Sequence, residues 1–302
     1  IYRWTSRQYR PHCMSCMDDK NLSMNIIEMR SVYREKLDLS IDECDFIYKI
    51  ILKELCDIDP IKIALDPTFN LSSKSKDTLI ESINMIIEDY PIDYLINKKN
   101  FYGIDFYIDE NVLIPRPETE ELVDWLINDN IDIKDQKNVI DLCSGSGCIG
   151  ISLDINNKYL NVTLSDVSTN ALKVCEINKK NLNSNVEIIQ LDLNSTSTFN
   201  KEYDIIISNP PYISLDELNQ IGKNVRYEPE IALFAPKDKP LHFYEKILEF
   251  ASKNLSKNGV IYLEINPNFI SEFNQLLTNY TINHVNFKDD FRGKKRLVKL
   301  KF

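Results

Sequence analysis

Glycine is scarce in this sequence: 7 residues in 302, of which Gly145, Gly147 and Gly150 fall in one short stretch. So few residues able to turn left-handed or admit a close neighbour make that cluster a place where the backbone needs them. Histidine is scarcer still, with His12, His242 and His284 scattered along the chain, so a Ser/His/Asp or Cys/His triad has no support. The 7 cysteines, at positions 13, 16, 44, 56, 143, 148 and 175, are odd in number and follow no framework spacing. They read as reduced thiols of a cytosolic protein rather than a disulfide scaffold. Cys13 and Cys16 form a lone CxxC with only His12 nearby, so no metal site is expected. No apolar run approaches the roughly 18 residues that a membrane span needs, and no membrane partner is expected. Basic residues are outnumbered, 36 Lys and Arg against 46 Asp and Glu for a net charge of -10. That balance argues against a surface built for stable nucleic-acid binding. The rest of the composition is that of a soluble globular protein, 43% hydrophobic and 27% charged, with length for one large or two ordinary domains.

Residues 1–23 lack apolar periodicity and are expected to be a disordered leader. Arg3, Arg7 and Arg10 precede the first acid, Asp18, a transit-peptide-like pattern, although a vector-derived stretch ahead of Met24 fits as well. From 24 to 92 the pattern is helical. Ser40-Ile41-Asp42-Glu43 has the form of a capping box, and apolar residues then recur every three or four positions through Phe46, Ile47, Ile50, Ile51 and Leu55. The stretch from Ser75 to Glu88 repeats this form, so a small bundle of four or five short helices is expected, with recognition or packing as its role. Residues 93–115 change character: Phe101 to Ile108 reads as a hairpin about Gly103, expected to link two domains. Pro117 then suits the first turn of a helix through Trp125, with acids at its N-terminus.

From 116 to 302 strands and helices alternate. Strands are expected at 139–142, 162–165, 186–191, 203–208 and 259–265, and helices at 148–155, 169–181, 243–255 and 267–277. A closing antiparallel hairpin at 282–287 and 296–300 follows, giving an α/β doubly wound sheet. The strand Tyr203 to Ser208 ends in Asn209-Pro210-Pro211-Tyr212. Each proline fixes its own φ and restricts the residue before it, so a stiff corner forms at the carboxyl end of a strand. In open α/β sheets that edge is where ligands bind.

Asp141-Leu142-Cys143-Ser144-Gly145-Ser146-Gly147 joins the first strand of this domain to its helix. Asp166 closes the next strand, the position from which a carboxylate reaches ribose hydroxyls. Gly145, Gly147 and Gly150 alone also fit a dinucleotide fingerprint, a weak match. Asp141, placed to face an ammonium group, and the Asn-Pro-Pro-Tyr corner, which hydride transfer leaves unexplained, favour S-adenosylmethionine over NAD. Asp192 and Leu193, after the third strand, are expected at the adenine edge. An acceptor with a planar nitrogen needs both N–H protons held and its lone pair aimed at the methyl group. The Asn209 side-chain oxygen and the Pro210 carbonyl can accept those protons, and Tyr212 can cover the acceptor plane. The corner alone serves two acceptors, the amide of glutamine and the exocyclic amine of adenine.

At this point the sequence resembles the release-factor glutamine N5-methyltransferases, the HemK/PrmC family, from roughly Met24 to Phe302. The resemblance rests on Leu113 to Glu120, Asp141 to Gly150, Asn209 to Ile213, Val225 to Leu233, Leu263-Glu264-Ile265 and Asp290 to Arg296. It implies a Rossmann-like S-adenosylmethionine-dependent methyltransferase domain and methylation of the glutamine in the Gly-Gly-Gln loop of peptide chain release factors. The helical residues 24–92 would grip that protein. Asn209, Pro210, Pro211 and Tyr212 would hold the glutamine amide. Cys143, Ser144, Gly145, Ser146, Gly147, Asp166 and Asn209 would contact the cofactor, and Arg116 and Glu118 would shape the pocket or cap a helix. A monomer in the cytoplasm or an organellar matrix is expected. Glutamine methylation of a ribosomal protein and adenine-N6 methylation of nucleic acid are the alternative activities. The chain departs from the family at Cys143, where Gly is usual and the small Cys is expected to be tolerated, and at Asn266-Pro267-Asn268-Phe269, which alters a loop near the site.

Overall fold

The computed structural model describes residues 24–195, 201–220 and 222–302. The expected leader at 1–23, with its CxxC and His12, lies outside the described residues. Two compact units divide between Glu88 and Asp89.

In the first unit, α1 (Ile26–Lys36), α2 (Ile41–Cys56), α3 (Lys62–Leu65) and α4 (Ser73–Ile87) pack about Met29, Tyr33, Tyr48, Ile51 and Leu79. The Ser40 capping box forms, its side chain accepting from the Glu43 N–H while Glu43 reaches back. The α4 cap is Ser72 rather than Ser75. Both serines have the right chemistry, but Ser72 takes extended backbone and accepts from the N–H of Ser75, which is already helical. Asp45 of α2 is clamped by two guanidinium groups of α1: Arg30 Nε lies 2.9 Å away and Arg34 donates at 2.7 and 2.6 Å. Together they hold its carboxyl well below the usual range.

The second unit opens with α5 (Ile92–Leu95) and the hairpin of β1 (Lys99–Phe101) and β2 (Ile104–Phe106). Phe101 and Phe106 are fully buried with Leu122, Val123 and Leu126, so the hairpin contributes to the core of this unit. Next come α6 (Pro117–Asp129), β3 (Lys137–Leu142), α7 (Cys148–Asn156), β4 (Leu160–Asp166), α8 (Thr169–Asn181), β5 (Glu187–Gln190) and β6 (Tyr203–Ser208). The chain closes with α9 (Glu230–Leu233), α10 (His242–Asn254), β7 (Leu255–Glu264), α11 (Ile270–Leu277), β8 (His284–Asp289) and β9 (Lys295–Lys301). The seven-stranded sheet has the order β5-β4-β3-β6-β7-β9-β8. The first five strands are mutually parallel, while β9 pairs antiparallel with both β7 and β8.

Period-two alternation distributes the strand residues to two faces. Val139, Ile205 and Ile207 meet Leu122, Val123, Ile149, Ile151 and Cys175. Ile140, Leu142 and Ile206 meet Tyr244, Ile247, Leu248, Phe273 and Leu277. With helices on both faces, the strand order reverses at β3, whose neighbours are β4 on one side and β6 on the other. Leu142 pairs with both Ser165 and Ser208, so three strands end level and their loops open onto one edge. Several boundaries differ from those expected by one or two residues, and two differ by more. Strand β7 begins at Leu255, which pairs with Tyr203 ahead of a register shift. Residues Pro267–Phe269 form a 3-10 turn before α11, because the Asn266 side chain captures the N–H of Asn268 at 2.9 Å.

Candidate active site

The loop after β3 is shaped by left-handed backbone at Cys143 (φ 60), Gly145 (φ 54) and Gly147 (φ 79). At Gly147 a Cβ would also lie 2.9 Å from Leu164 Cδ1. At Cys143 the positive φ shows why glycine suits the position. Gly150 has ordinary helical backbone, but a Cβ there would lie 2.2 Å from Leu164 Cδ2, so α7 rests directly on β4.

A cavity of about 260 Å³ opens above the ends of β3, β4 and β6. Of the residues singled out in the sequence, Cys143, Ser144, Gly145, Ser146, Asp166, Asp192, Leu193, Asn209, Pro211 and Arg116 line it. Asp166 accepts from the N–H groups of Gly145 and Ser168 at 2.9 Å each, which ties the ends of two strands together. Burial pushes its carboxyl up, against the pull of those backbone donors. Asp192 lines the cavity while closing a turn onto the N–H of Asn194 at 2.9 Å. Sequence reasoning did not single out Val112, Ile231 or Phe243, which add apolar wall. Nothing in their local pattern distinguishes them from core residues.

Neither Asp141, at the end of β3, nor Gly147, the residue that leads into α7, is on the cavity wall. Asp141 is fully buried, and its Oδ2 accepts from the Gly150 N–H at 3.0 Å. Its Oδ1 has no hydrogen-bond partner, and burial raises its carboxyl well above the usual range. An orphaned buried acceptor under a loop of left-handed backbone is what a cationic amino group close by would compensate. An acceptor of this kind beside a cavity that also carries Asp166 and an apolar wall fits an amino acid–bearing nucleoside.

A second, smaller cavity of about 100 Å³ is lined by Pro210, Tyr212, Ile213, Val225 and Leu233, and shares Leu113, Arg116, Asn209 and Ala232 with the first. Asn209 and Arg116 therefore stand where the two spaces meet. The corner is braced on all sides. Asn209 Nδ2 donates to Thr119 Oγ1 at 3.1 Å. The Tyr212 hydroxyl donates to Glu264 Oε1 at 2.8 Å and accepts from Arg296 Nη1 at 3.2 Å. Burial and the Glu264 charge keep that phenol protonated. Ile213 exchanges backbone hydrogen bonds with Leu233 and Ala235 at 2.9 and 3.0 Å. Asn266, where the chain departs from the family pattern, donates its side-chain N–H to the Tyr212 carbonyl at 3.1 Å and to Glu217 at 3.0 Å. The altered loop thus acts as a further brace.

Neither Arg116 nor Glu118 caps α6 with its side chain. The Arg116 guanidinium bonds to Glu228, whose other oxygen accepts from the Ile114 N–H at 3.1 Å. Glu228 is buried, so the Tyr-Glu-Pro segment pins Leu113 to Arg116 against the cavity mouth. Glu118 lines neither cavity and pairs with Arg292 Nε at 3.1 Å. Thr119 and Glu264 were quoted only as parts of motifs. The available signal was a lone acid ending the apolar strand β7.

The methyltransferase small domain family matches residues 121–225. A release factor glutamine methyltransferase of Flavobacterium psychrophilum is 37% identical over 94% of this chain and 99% of its own length. That of Clostridium acetobutylicum is 33% identical over 90% and 95%. The crystal structure of a methyltransferase from Pyrococcus furiosus superimposes with a TM-score of 0.50 at 15% identity, covering 76% of this chain and 98% of that one.

Proposed function

The chain belongs to the release factor glutamine methyltransferase family, and on that premise we propose that its Asn209 to Tyr212 corner presents the glutamine of a release factor's Gly-Gly-Gln loop for methylation at N5. The enzyme depends on S-adenosylmethionine. That cofactor, when bound, supplies a methyl group activated by its sulfonium. We assign its place to the larger cavity, with Ser144 to Gly147 and Asp166 around the amino acid and ribose, and Asp192 and Leu193 toward the adenine. The observation that carries the reading is the position of Asn209 on the wall of both cavities.

The substrate amide has a delocalised lone pair and two N–H protons. Asn209 Oδ1 and the Pro210 carbonyl accept those protons, which fixes the nitrogen and stabilises the positive charge that grows on it. Tyr212 covers the amide plane and Pro211 forms the adjoining wall. Arg116, held by Glu228, closes the mouth. No general base is required, because the methylated nitrogen is strongly acidic and loses its proton to water. The helical residues 24–92 are proposed to grip the release factor. The protein is proposed to act as a monomer in the cytoplasm or an organellar matrix, and the net charge of -10 supports the absence of stable nucleic acid. Among the described residues, no helix is long and apolar enough to cross a membrane.

Asn209→Ala tests the assignment. The rate of methyl transfer should fall by about 10²–10³-fold, the loss typical of removing one preorganised hydrogen-bonding group from a reacting centre, with the fold retained by circular dichroism. Retention of most of the wild-type rate would remove Asn209 from the amide clamp.

A further inference from the structure

The chemistry proposed above needs the oxygen of the Asn209 side chain, not its nitrogen, to face the acceptor amide. We infer that Thr119 and Glu264 are positioning residues that fix this orientation through a chain of hydrogen bonds whose direction is set by the Arg296 guanidinium and an ionised Glu264. Arg296 begins it, because a guanidinium can only donate. Its Nη1 lies 3.2 Å from the Tyr212 hydroxyl, and its Nε is spent on Asp290 Oδ2 at 2.8 Å. The Tyr212 oxygen accepts from Arg296, so its own proton points to Glu264 Oε1 at 2.8 Å. The Glu264 carboxylate accepts again through Oε2, from the Thr119 hydroxyl at 2.6 Å. With its single proton committed to Glu264, Thr119 Oγ1 has only lone pairs left for Asn209 at 3.1 Å. The Asn209 group facing it must therefore be the NH₂, and the carboxamide oxygen is turned the other way.

Burial makes this ordering strict. Thr119, on the cavity wall, is 2% exposed and Glu264 is 1% exposed, so each is satisfied by its protein partners rather than by bulk water. The two ends of Glu264 also tie the halves of the clamp together, Asn209 through Thr119 and Tyr212 directly. A polar pair spanning α6 and the end of β7 is thereby linked to both sides of the corner. This inference rests on the proposed role of Asn209, and its test separates the two.

The decisive variants are Thr119→Val, Thr119→Ser and Glu264→Gln, studied in the full chain with a Gly-Gly-Gln release factor as substrate. Thr119→Val removes the acceptor that holds the Asn209 NH₂, and misplacement at a reacting centre of this kind costs about 10²-fold in kcat. Thr119→Ser keeps the hydroxyl and should recover most of the rate. The carboxamide of Glu264→Gln can donate to Thr119, which frees the Thr119 proton to point at Asn209 and lets that amide turn. Thr119 lines the larger cavity, so the variant in which affinity for S-adenosylmethionine should stay within about twofold is Glu264→Gln, whose side chain lines neither cavity. An activity-independent readout accompanies the kinetics: the nuclear Overhauser contact between the Asn209 side-chain NH₂ protons and the Thr119 methyl group, present in wild type and lost in Glu264→Gln. Wild-type kcat in Thr119→Val, or an unchanged contact in Glu264→Gln, overturns the inference. A wild-type enzyme that leaves the glutamine unmodified but shows the contact, with its loss in Glu264→Gln, would instead overturn the proposed substrate and keep the orientation.

Discussion

Gly150 offers a test of how the cofactor loop is held. Its backbone is ordinary helix, so replacing it with alanine adds no torsional strain and improves helix propensity by roughly 1 kcal/mol. The added methyl, however, would sit 2.2 Å from Leu164 Cδ2, 3.0 Å from Val162 Cγ1 and 3.2 Å from Asp141 Oδ2. Either α7 lifts from β4 or Leu164 leaves its rotamer, and overpacking of this kind costs about 1–3 kcal/mol. The contact is so short that the upper part of that range applies, leaving a net loss of about 1–2 kcal/mol after the propensity gain. For a unit of this size that lowers Tm by roughly 2–8 °C. The Gly150 N–H also donates to Asp141 Oδ2 at 3.0 Å, so a displaced α7 shifts the loop. Affinity for S-adenosylmethionine should therefore fall with Tm. Gly145→Ala is the matched control: nothing lies within 4 Å of its added Cβ, but its φ is +54. Its stability cost is torsional, about 1–2 kcal/mol, with no repacking at Leu164. Scanning calorimetry and isothermal titration with the cofactor measure both quantities. Wild-type Tm and affinity in Gly150→Ala would refute the packing of α7 on β4.

Two further outcomes follow from single residues. Cys143→Gly relieves a left-handed φ of +60; after the added freedom of the unfolded chain, it should stabilise the fold by a few tenths up to about 1 kcal/mol in urea titration, and a clear destabilisation would contradict the torsional account. Asp45→Asn leaves Arg30 and Arg34 facing a neutral partner and should destabilise the first unit by about 1 kcal/mol, a figure reduced for solvent screening of the partly exposed arginines. Because the two guanidinium groups lower the folded-state pKa of Asp45, its contribution is complete above the unfolded value near pH 4 and is lost as pH falls toward the folded value. The variant should lack that part of the acid-induced loss, measured by thermal melts across pH 2–6.

The pieces of the fold that depend on neighbours in sequence were legible. Alternating strands and helices, the Ser40 capping box, the glycine loop and the proline-stiffened corner are each written in a short stretch, and each takes its position from local rules. What was hidden depends on residues far apart in the chain. Thr119 bonds to Glu264 across 145 positions, and Ile114 to Glu228 across 114; no periodicity couples such pairs. Arg116 reads in sequence as a residue that shapes the pocket or caps a helix, and its engagement by Glu228, 112 positions away, has no local signal. Asp141 reads as a ligand-facing acid, but that one of its oxygens is spent on the Gly150 N–H has no signal in the sequence. The cap of α4 illustrates a local failure: Ser72 and Ser75 are equally competent, and only the path of the preceding chain decides between them.

The central claim is that this protein places one methyl group on one glutamine of a release factor. Mass spectrometry of a release factor incubated with the protein and S-adenosylmethionine tests it directly. The account predicts a gain of one methyl group, about 14 Da for a CH₂ increment, mapped by fragmentation to the glutamine of the Gly-Gly-Gln loop, and formed about 10²–10³-fold more slowly when Asn209→Ala replaces the wild type. An unmodified glutamine, with cofactor demonstrably bound, would contradict it.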